Sequence, residues 1–420
     1  MAVAGIVAEY NPFHRGHAYH LQQAKLRSGA EAAVAVMSGH FVQRGEPALL
    51  DKWARAEMAL HGGVDLVFEL PFAWAVRSAY YFARGALLCL AATGVVTHLC
   101  FGAEADSLDL LLELAAILAD EPEPFREELK AALARGVSFP AARALAVAAF
   151  LRQPGHAAVA EQALRTMASP NNILALEYLK VIRQESLPLV PVLIPRRGPG
   201  YHDLSPGPWA SASAVRAMCR EADWSDRVGA SLPPSSLEVM RREFALGRGP
   251  VFPEALDLIL LALLRRASLE ELRRIADVTE GLENRIKKAA RTSTSLAELT
   301  EGIKSRRYNL TRIQRVLLHA LLQVTAADLQ AYDHAGPSYL HVLGFSPRGQ
   351  KILLRTRKAA RIFLLTRVAP ALRGRRALQD PAGRAMLELD LLATDLYALL
   401  RAPGQRHAGG DFTTAPVRID

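Results

Sequence analysis

The sequence predicts an α/β protein: an N-terminal doubly wound parallel sheet followed by a mostly α-helical C-terminal domain. Three observations carry that prediction. Short apolar runs alternate with amphipathic stretches over the first hundred residues, the rhythm of a parallel sheet with crossover helices. Beyond Pro233-Pro234 helical periodicity takes over almost throughout. The chain has 420 residues, 50% of them hydrophobic, enough for more than one domain with a real core.

The elements follow in order. Val3–Glu9, Ala33–Met37, Asp65–Leu70 and Val95–Phe101 are strand candidates, and His17–Arg27, Lys52–His61 and Ala75–Leu90 are the helices between them. Leu108–Ala134 is helical with a break at Glu121–Pro124, and Ala141–Arg152 and Val159–Ala168 continue in helix. Ser169-Pro170-Asn171-Asn172 carries the polar cap and early proline of a helix start. Leu189–Ile194 is a fifth strand, Pro195–Pro208 a Gly/Pro-rich loop, and Ser211 opens another helix. Helices are then expected at Glu254–Arg265, Leu269–Ala276, Arg285–Ala290, Leu296–Ser305, Thr311–Thr325, Gln350–Leu365 and Arg384–Arg401. The change of character places a domain boundary at 230/231, and the Gly-rich tail Ala402–Asp420 reads as poorly ordered.

Composition excludes several classes. Three cysteines (Cys89, Cys100, Cys219) without a CxxC pair exclude a disulfide scaffold and argue against a cysteine zinc site, so a reducing, cytoplasmic setting is expected. The most apolar stretch, Ala86–Phe101, is interrupted by Gly94, Thr97 and His98 and falls short of the roughly 20 residues a membrane helix needs. The start Met-Ala-Val-Ala-Gly lacks a basic leader region. The net charge of +9 is unevenly spread: residues 284–320 hold 9 basic and 2 acidic residues, and 348–376 hold 10 basic and no acidic ones. Segregation of this kind fits a polyanion partner, or a solvated helix surface in an Arg-rich chain.

The sharpest chemical signal is Asn11-Pro12-Phe13-His14-Arg15-Gly16-His17, leaving the first strand and opening the first helix. A helix N-terminus presents unpaired N–H groups and partial positive charge to a phosphate. Gly16 lets a nucleotide approach the backbone. His14 and His17, one turn apart, can donate hydrogen bonds to a phosphate as charge grows on it. Incidental histidines, or a metal held by His14, His17 and His20, are the alternatives. No P-loop, GxGxxG or HExxH motif is present. Further along, Ser211 and Ser213 suit either a helix cap or phosphate oxygens, and Arg216 can hold phosphates bidentately. Arg196 and Arg197 follow a strand end, and Gly102 marks another. Asn171 and Asn172 can bind a ligand or cap their helix. Lys351, Arg355 and Lys358 share one helix face, and Tyr308, beside Arg306 and Arg307, is placed to stack on a base.

His14-Arg15-Gly16-His17 resembles the HxGH signature of the HIGH nucleotidyltransferase superfamily. Longer stretches narrow the resemblance to the tRNA(Met) cytidine acetate ligase family: Gly5–His20, Val36–Pro47 (VMSGHFVQRGEP), Asp51–Met58 (DKWARAEM), Gly63–Pro71 (GVDLVFELP), Cys100–Glu104 (CFGAE), Ser169–Tyr178 (SPNNILALEY) and Ala210–Arg216 (ASASAVR). Glu280–Ile286, Arg307–Leu317 and Val342–Phe345 extend it across nearly the whole chain. Arg15 departs from the Asn usual at that slot.

The resemblance implies a Rossmann-like HIGH nucleotidyltransferase domain over 1–230 and a tRNA-binding helical domain over 231–420. It implies that ATP and acetate give acetyl-AMP and pyrophosphate, and that N4 of the wobble cytidine of elongator tRNA(Met) then takes the acetyl group, releasing AMP. His14, His17 and Arg216 would be catalytic. ATP would contact Val7, Ala8, Glu9, Tyr10, Asn11, Pro12, Phe13, His14, Arg15, Gly16, His17, Ala18, Tyr19 and His20, with Gly102, Asn171, Asn172, Arg196, Arg197, Ser211 and Ser213. Mg2+ would arrive on ATP, with no metal held by the protein itself. RNA would meet Lys287, Lys288, Arg306, Arg307, Arg312, Arg315, Lys351, Arg355 and Lys358. No membrane or protein partner is implied. A small-molecule adenylyltransferase or a non-catalytic tRNA-binding protein are the competing readings; the first does not need the basic helical half, and the intact His14, Gly16, His17 and Arg216 argue against the second.

Overall fold

The computed structural model describes residues 2–152, 157–196, 207–305, 308–373 and 378–420. Five parallel strands form the heart of the sheet: β1 (Val3–Ala8), β2 (Ala32–Ser38), β3 (Leu66–Leu70), β4 (His98–Ala103) and β5 (Val190–Pro195). They lie in the order β3-β2-β1-β4-β5, so the winding direction reverses at β1, as in doubly wound nucleotide-binding sheets. Every residue of β2 is buried, and its side chains alternate between two cores. Ala32, Val34 and Val36 join one, and Ala33, Ala35 and Met37 the other. Burial on both faces is what a parallel sheet with helices on each side requires.

The sheet does not stop at residue 230. β6 (Tyr339–Phe345) lies antiparallel to β3. Beside β6 run β7 (Phe363–Leu365) and β8 (Val417–Arg418), both parallel to it, giving an eight-stranded sheet. Two expectations are corrected here. The helix expected over Gln350–Leu365 ends at Ala359, where Ala360 turns extended and leads into β7. The tail is ordered: it supplies β8, and Asp411 is buried. The strand β6 escaped notice because all seven of its residues are buried; a strand covered on both faces shows no period-two alternation.

The helices begin and end for local reasons. α1 (Arg15–Ser28) is capped by His14 and stops at Gly29, whose φ of 62° is left-handed. α2 (Lys52–His61) is capped by the Asp51 side chain, which accepts from Ala54 N. α3 (Pro170–Gln184), α4 (Ala212–Met218), α5 (Leu282–Thr292), α6 (Leu310–Leu321), α7 (Pro347–Ala359) and α8 (Pro381–Ala398) carry the remaining residues of interest. No helix among the described residues is long and apolar enough to cross a membrane.

Candidate active site

Ligands of doubly wound sheets sit beyond the strand carboxyl ends at the reversal point, and the turn after β1 occupies that place. Tyr10 is left-handed at φ 44°. Asn11 is buried, with Oδ1 accepting from Leu49 N at 2.8 Å. These interactions fix the turn that delivers His14 to the head of α1.

His14 and His17 form a reciprocal capping box. His14 Nδ1 accepts from Gly16 N at 3.0 Å, and His17 Nδ1 accepts from His14 N at 3.3 Å. The rings stack with centroids 3.8 Å apart. A neutral ring whose Nδ1 accepts carries its proton on Nε2, and the His17 ring also hydrogen-bonds the Pro12 carbonyl. Burial and the nearby Arg196 and Arg216 push the His14 pKa down to about 3. Burial and the neighbouring His14, His20 and Arg196 hold His17 well below the usual range. His20 is pushed down to about 4 by burial and Arg196. The pair thus offers neutral N–H donors, and a metal would find the Nδ1 lone pairs of His14 and His17 already taken. The structure gives Gly16 a second reason: a Cβ there would come within 2.7 Å of His14 Cε1, so glycine permits the stacked pair itself.

The serine-rich motif is tied to this turn. Arg216, on α4, donates from Nη1 to the Asn11 carbonyl at 2.9 Å and from Nη2 to Ser213 Oγ at 3.2 Å. Ser211 is the N-cap of α4, with Oγ accepting from Ala214 N at 3.1 Å. Gly102, near the end of β4, faces the gap between His20 and Arg196, where a Cβ would stand 3.5 Å or more from its nearest neighbours. Arg196, just past β5, has Nε 4.0 Å from a Glu104 carboxylate oxygen. Arg197 lies outside the described residues. Arg15 is exposed, and its backbone N–H donates to Ser231 O at 2.9 Å. Val7, Ala8, Ala18 and Tyr19 are half-buried around the cradle, while Tyr10 and Phe13 are core residues edge-on to one another and Pro12 is buried between them in the chain.

Asn172 has a structural role: its Oδ1 accepts from Glu104 N at 2.8 Å and Ala105 N at 3.0 Å, holding the loop after β4. Asn171 Nδ2 donates to Glu104 Oε1. Arg55 carried no assignment in sequence reasoning. It is fully buried and donates to Leu50 O, to Glu9 O at 2.6 Å, to Ser38 O at 3.1 Å and to Gly39 O, clamping the carboxyl ends of β1 and β2. Asp65, Lys52 and Glu69, whose roles the sequence left open, are also paired. Asp65 accepts from Lys25 Nζ and Ala33 N at 2.9 Å each. Lys52 Nζ lies 2.8 Å from Glu69 Oε2 and 2.6 Å from Asp411 Oδ1. A salt bridge spanning such sequence distances leaves no local signal.

The basic residues of the helical half divide in two. Lys287 Nζ donates to the carbonyls of Leu264 at 3.1 Å, Arg265 at 2.7 Å, and Ala267, which caps a helix C-terminus. Arg312 reaches Asp277 O and Thr279 Oγ1 at 3.2 Å each. Arg315 is half-buried, with Nη1 3.5 Å from Gln43 O. Tyr308 is buried and donates its hydroxyl to Thr279 O at 2.9 Å, so it is no stacking platform. Lys288, Lys351, Arg355 and Lys358 are exposed, the last three along one face of α7. Arg306 and Arg307 lie outside the described residues.

A family model described as HIGH Nucleotidyl Transferase matches residues 1–410. The chain is similar to the tRNA(Met) cytidine acetate ligase of Syntrophomonas wolfei, 47% identical over 99% of both chains. It is similar to that of Acetivibrio thermocellus, 41% identical over 98% of this chain and 99% of the relative. Among solved structures it is similar to Thermotoga maritima TmcAL bound with alpha-thio ATP, with a TM-score of 0.93 and 35% identity over the whole of both chains. The apo form of that protein gives a TM-score of 0.95 at 36% identity.

Proposed function

The chain belongs to the HIGH nucleotidyl transferases and, within them, to the tRNA(Met) cytidine acetate ligases, and from that premise we propose how its residues divide the reaction. The enzyme uses ATP to join acetate to the wobble cytidine of elongator tRNA(Met). One observation carries the division: a stacked histidine pair at the sheet's reversal point, with Arg216 tied to the same turn.

ATP lies in the cradle after β1, its phosphates against the head of α1 and the Nε2–H groups of His14 and His17. An acetate oxygen attacks the α-phosphorus, a new O–P bond forms, and pyrophosphate leaves with the electron pair of the broken P–O bond. The two imidazoles donate to the phosphoryl oxygens as negative charge gathers there, stabilisation that is largest where charge develops. Arg216, with Ser211 and Ser213 at the head of α4, balances the departing pyrophosphate. The amine of cytidine then attacks the acetyl carbon and AMP leaves. Arg196 and Gly102 border the nucleoside end. The imidazoles and guanidiniums of the cradle suit phosphate oxygens and make a poor Mg2+ site, so any Mg2+ comes on the phosphates of ATP. The exposed face of α7, with Lys288, meets the tRNA backbone. Residues 1–230 thus supply the nucleotide chemistry and 231–420 the RNA surface, in a cytoplasmic enzyme.

Acetate-dependent exchange of labelled pyrophosphate into ATP without RNA tests the first half-reaction. Exchange that requires acetate is the expected result. Exchange that runs equally well with no carboxylate overturns the acetate reading and favours a small-molecule adenylyltransferase.

A further inference from the structure

Acetyl transfer to cytidine makes a demand that the cradle does not meet. The exocyclic amine is conjugated with its ring and scarcely basic, so it must surrender a proton as its nitrogen bonds to the acetyl carbon. His14 and His17 present N–H donors, the wrong polarity for that task.

Glu9 stands directly after β1, two residues before the Asn11 carbonyl that Arg216 grips. Its Oε1 accepts from Gln43 N at 2.9 Å, and among the described residues Oε2 has no hydrogen-bond partner. Gln43 lies in the short hairpin Phe41–Val42/Glu46–Pro47. That hairpin is also where the helical half meets the cradle. Gln314 on α6 donates to Glu46 Oε1 at 3.0 Å, Arg315 approaches the Gln43 carbonyl, and Gly45 packs so closely that a Cβ would collide with the α6 backbone. Glu9 therefore lies on the seam between the nucleotide site and the half that carries the exposed basic helix. The neighbouring carboxylates are occupied: Glu69 by Lys52, Glu104 by Asn171, Glu46 by Gln314.

We propose that Glu9 Oε2 accepts a hydrogen bond from N4 of the target cytidine, orients it and takes its proton during transfer. This rests on the acetate-ligase reading above. The N4–C bond forms, the bond from the acetyl carbon to the adenylate oxygen breaks, the electron pair leaves with AMP, and the proton passes to Glu9 and then to water. A carboxylate accepting from N4 is the usual protein partner of a cytosine amine. Four groups face Glu9 from the elements packed on it: Arg216 of α4, Arg44 of the hairpin, Arg55 of α2 and Tyr178 of α3. Burial raises the Glu9 carboxyl above its ordinary range, against the opposing pull of the Gln43 N–H and the three arginines; a raised carboxyl is the stronger base.

The test compares the two half-reactions in Glu9→Gln, which keeps an oxygen for the Gln43 N–H. Glu9 also stands among the expected ATP contacts, so transfer is read against exchange in the same variant: acetylation of unmodified elongator tRNA(Met) transcript is expected to fall about 100-fold or more beyond whatever loss acetate-dependent pyrophosphate exchange shows. The acidic limb of the wild-type transfer rate, where protonation of Glu9 stops the reaction, disappears in the variant. Equal loss of both half-reactions, or transfer at the wild-type rate, overturns the proposal. Wild-type protein that shows no acetate-dependent exchange overturns instead the reading on which it rests.

Discussion

Two groups of ionisable side chains are drawn out of bulk water in this molecule, and they differ in charge balance. In the cradle, His14, His17, His20, Arg196 and Arg216 are all bases, and the histidine pKa values are driven down by burial and by their basic neighbours. In the Lys52 cluster, one ammonium lies between Glu69 and Asp411, and His341 Nδ1 stands 2.7 Å from Glu69. There the ammonium holds the Glu69 carboxyl down to about 2, and the carboxylates raise Lys52. Opposite charges that close on themselves make structure, whereas the cradle sets imidazoles of lowered pKa beside Arg196 and Arg216, which also have the carboxylates of Glu104 and Glu9 near them. The cluster joins β3, β6 and the tail; the cradle is the place proposed above for the phosphates of ATP.

The comparison breaks most readily at Lys52. Lys52→Met leaves two buried carboxylates without their cation, and urea unfolding is expected to show about 3–5 kcal/mol of lost stability; a loss under about 1 kcal/mol contradicts the cluster's structural role. The opposite profile is expected at His17. His17→Ala raises the barrier of pyrophosphate exchange by about 2–4 kcal/mol, the scale for one charge-stabilising donor, and an unchanged rate removes it from the catalytic set.

A pH series sharpens the contrast further. His14 is neutral in the fold down to about pH 3, whereas the unfolded chain takes up its proton near the ordinary value of 6.5. The unfolded state therefore binds more protons between those values, so stability falls as pH drops from 6.5 towards 3. His14→Gln flattens that slope. Glu69, with its folded pKa of about 2, contributes stability that is present above its ordinary 4.5 and lost as pH falls from there towards 2. Chemical unfolding measured every half pH unit separates the two windows, and an unaltered slope in His14→Gln removes the contrast.

The smaller effects divide the basic residues of the helical half. Glu substituted at both Lys351 and Lys358 is expected to weaken tRNA binding and reduce its salt slope by about one for each phosphate no longer neutralised, read by filter binding across a salt series. Lys287→Met is expected to cost about 0.3–1 kcal/mol of stability, with a smaller change in that slope. The reverse order would move the RNA surface from α7 to α5.

The cradle was legible because its logic is local. A strand, an Asn-Pro turn, a capping histidine and a glycine within a dozen residues specify a helix N-terminus aimed past a sheet edge. The serine motif was legible as a helix start, though not the bond from Arg216 to the Asn11 carbonyl across 205 positions. Other readings failed where a local pattern was overruled by packing. Tyr308 beside arginines looked like a stacking platform and is a buried hydroxyl donor. Lys287 looked like a phosphate ligand and caps carbonyls.

By itself the sequence determined the parallel order of alternating elements, the turn that leaves the first strand and the capped helix it opens, since hydrophobic period and helix capping act over a few residues. Only the tertiary structure decided which charges neutralise each other, that β6 and the tail complete the sheet, and that Glu9 faces the seam. Those outcomes depend on groups hundreds of residues apart meeting at hydrogen-bond distance, and no periodicity along the chain encodes such a meeting.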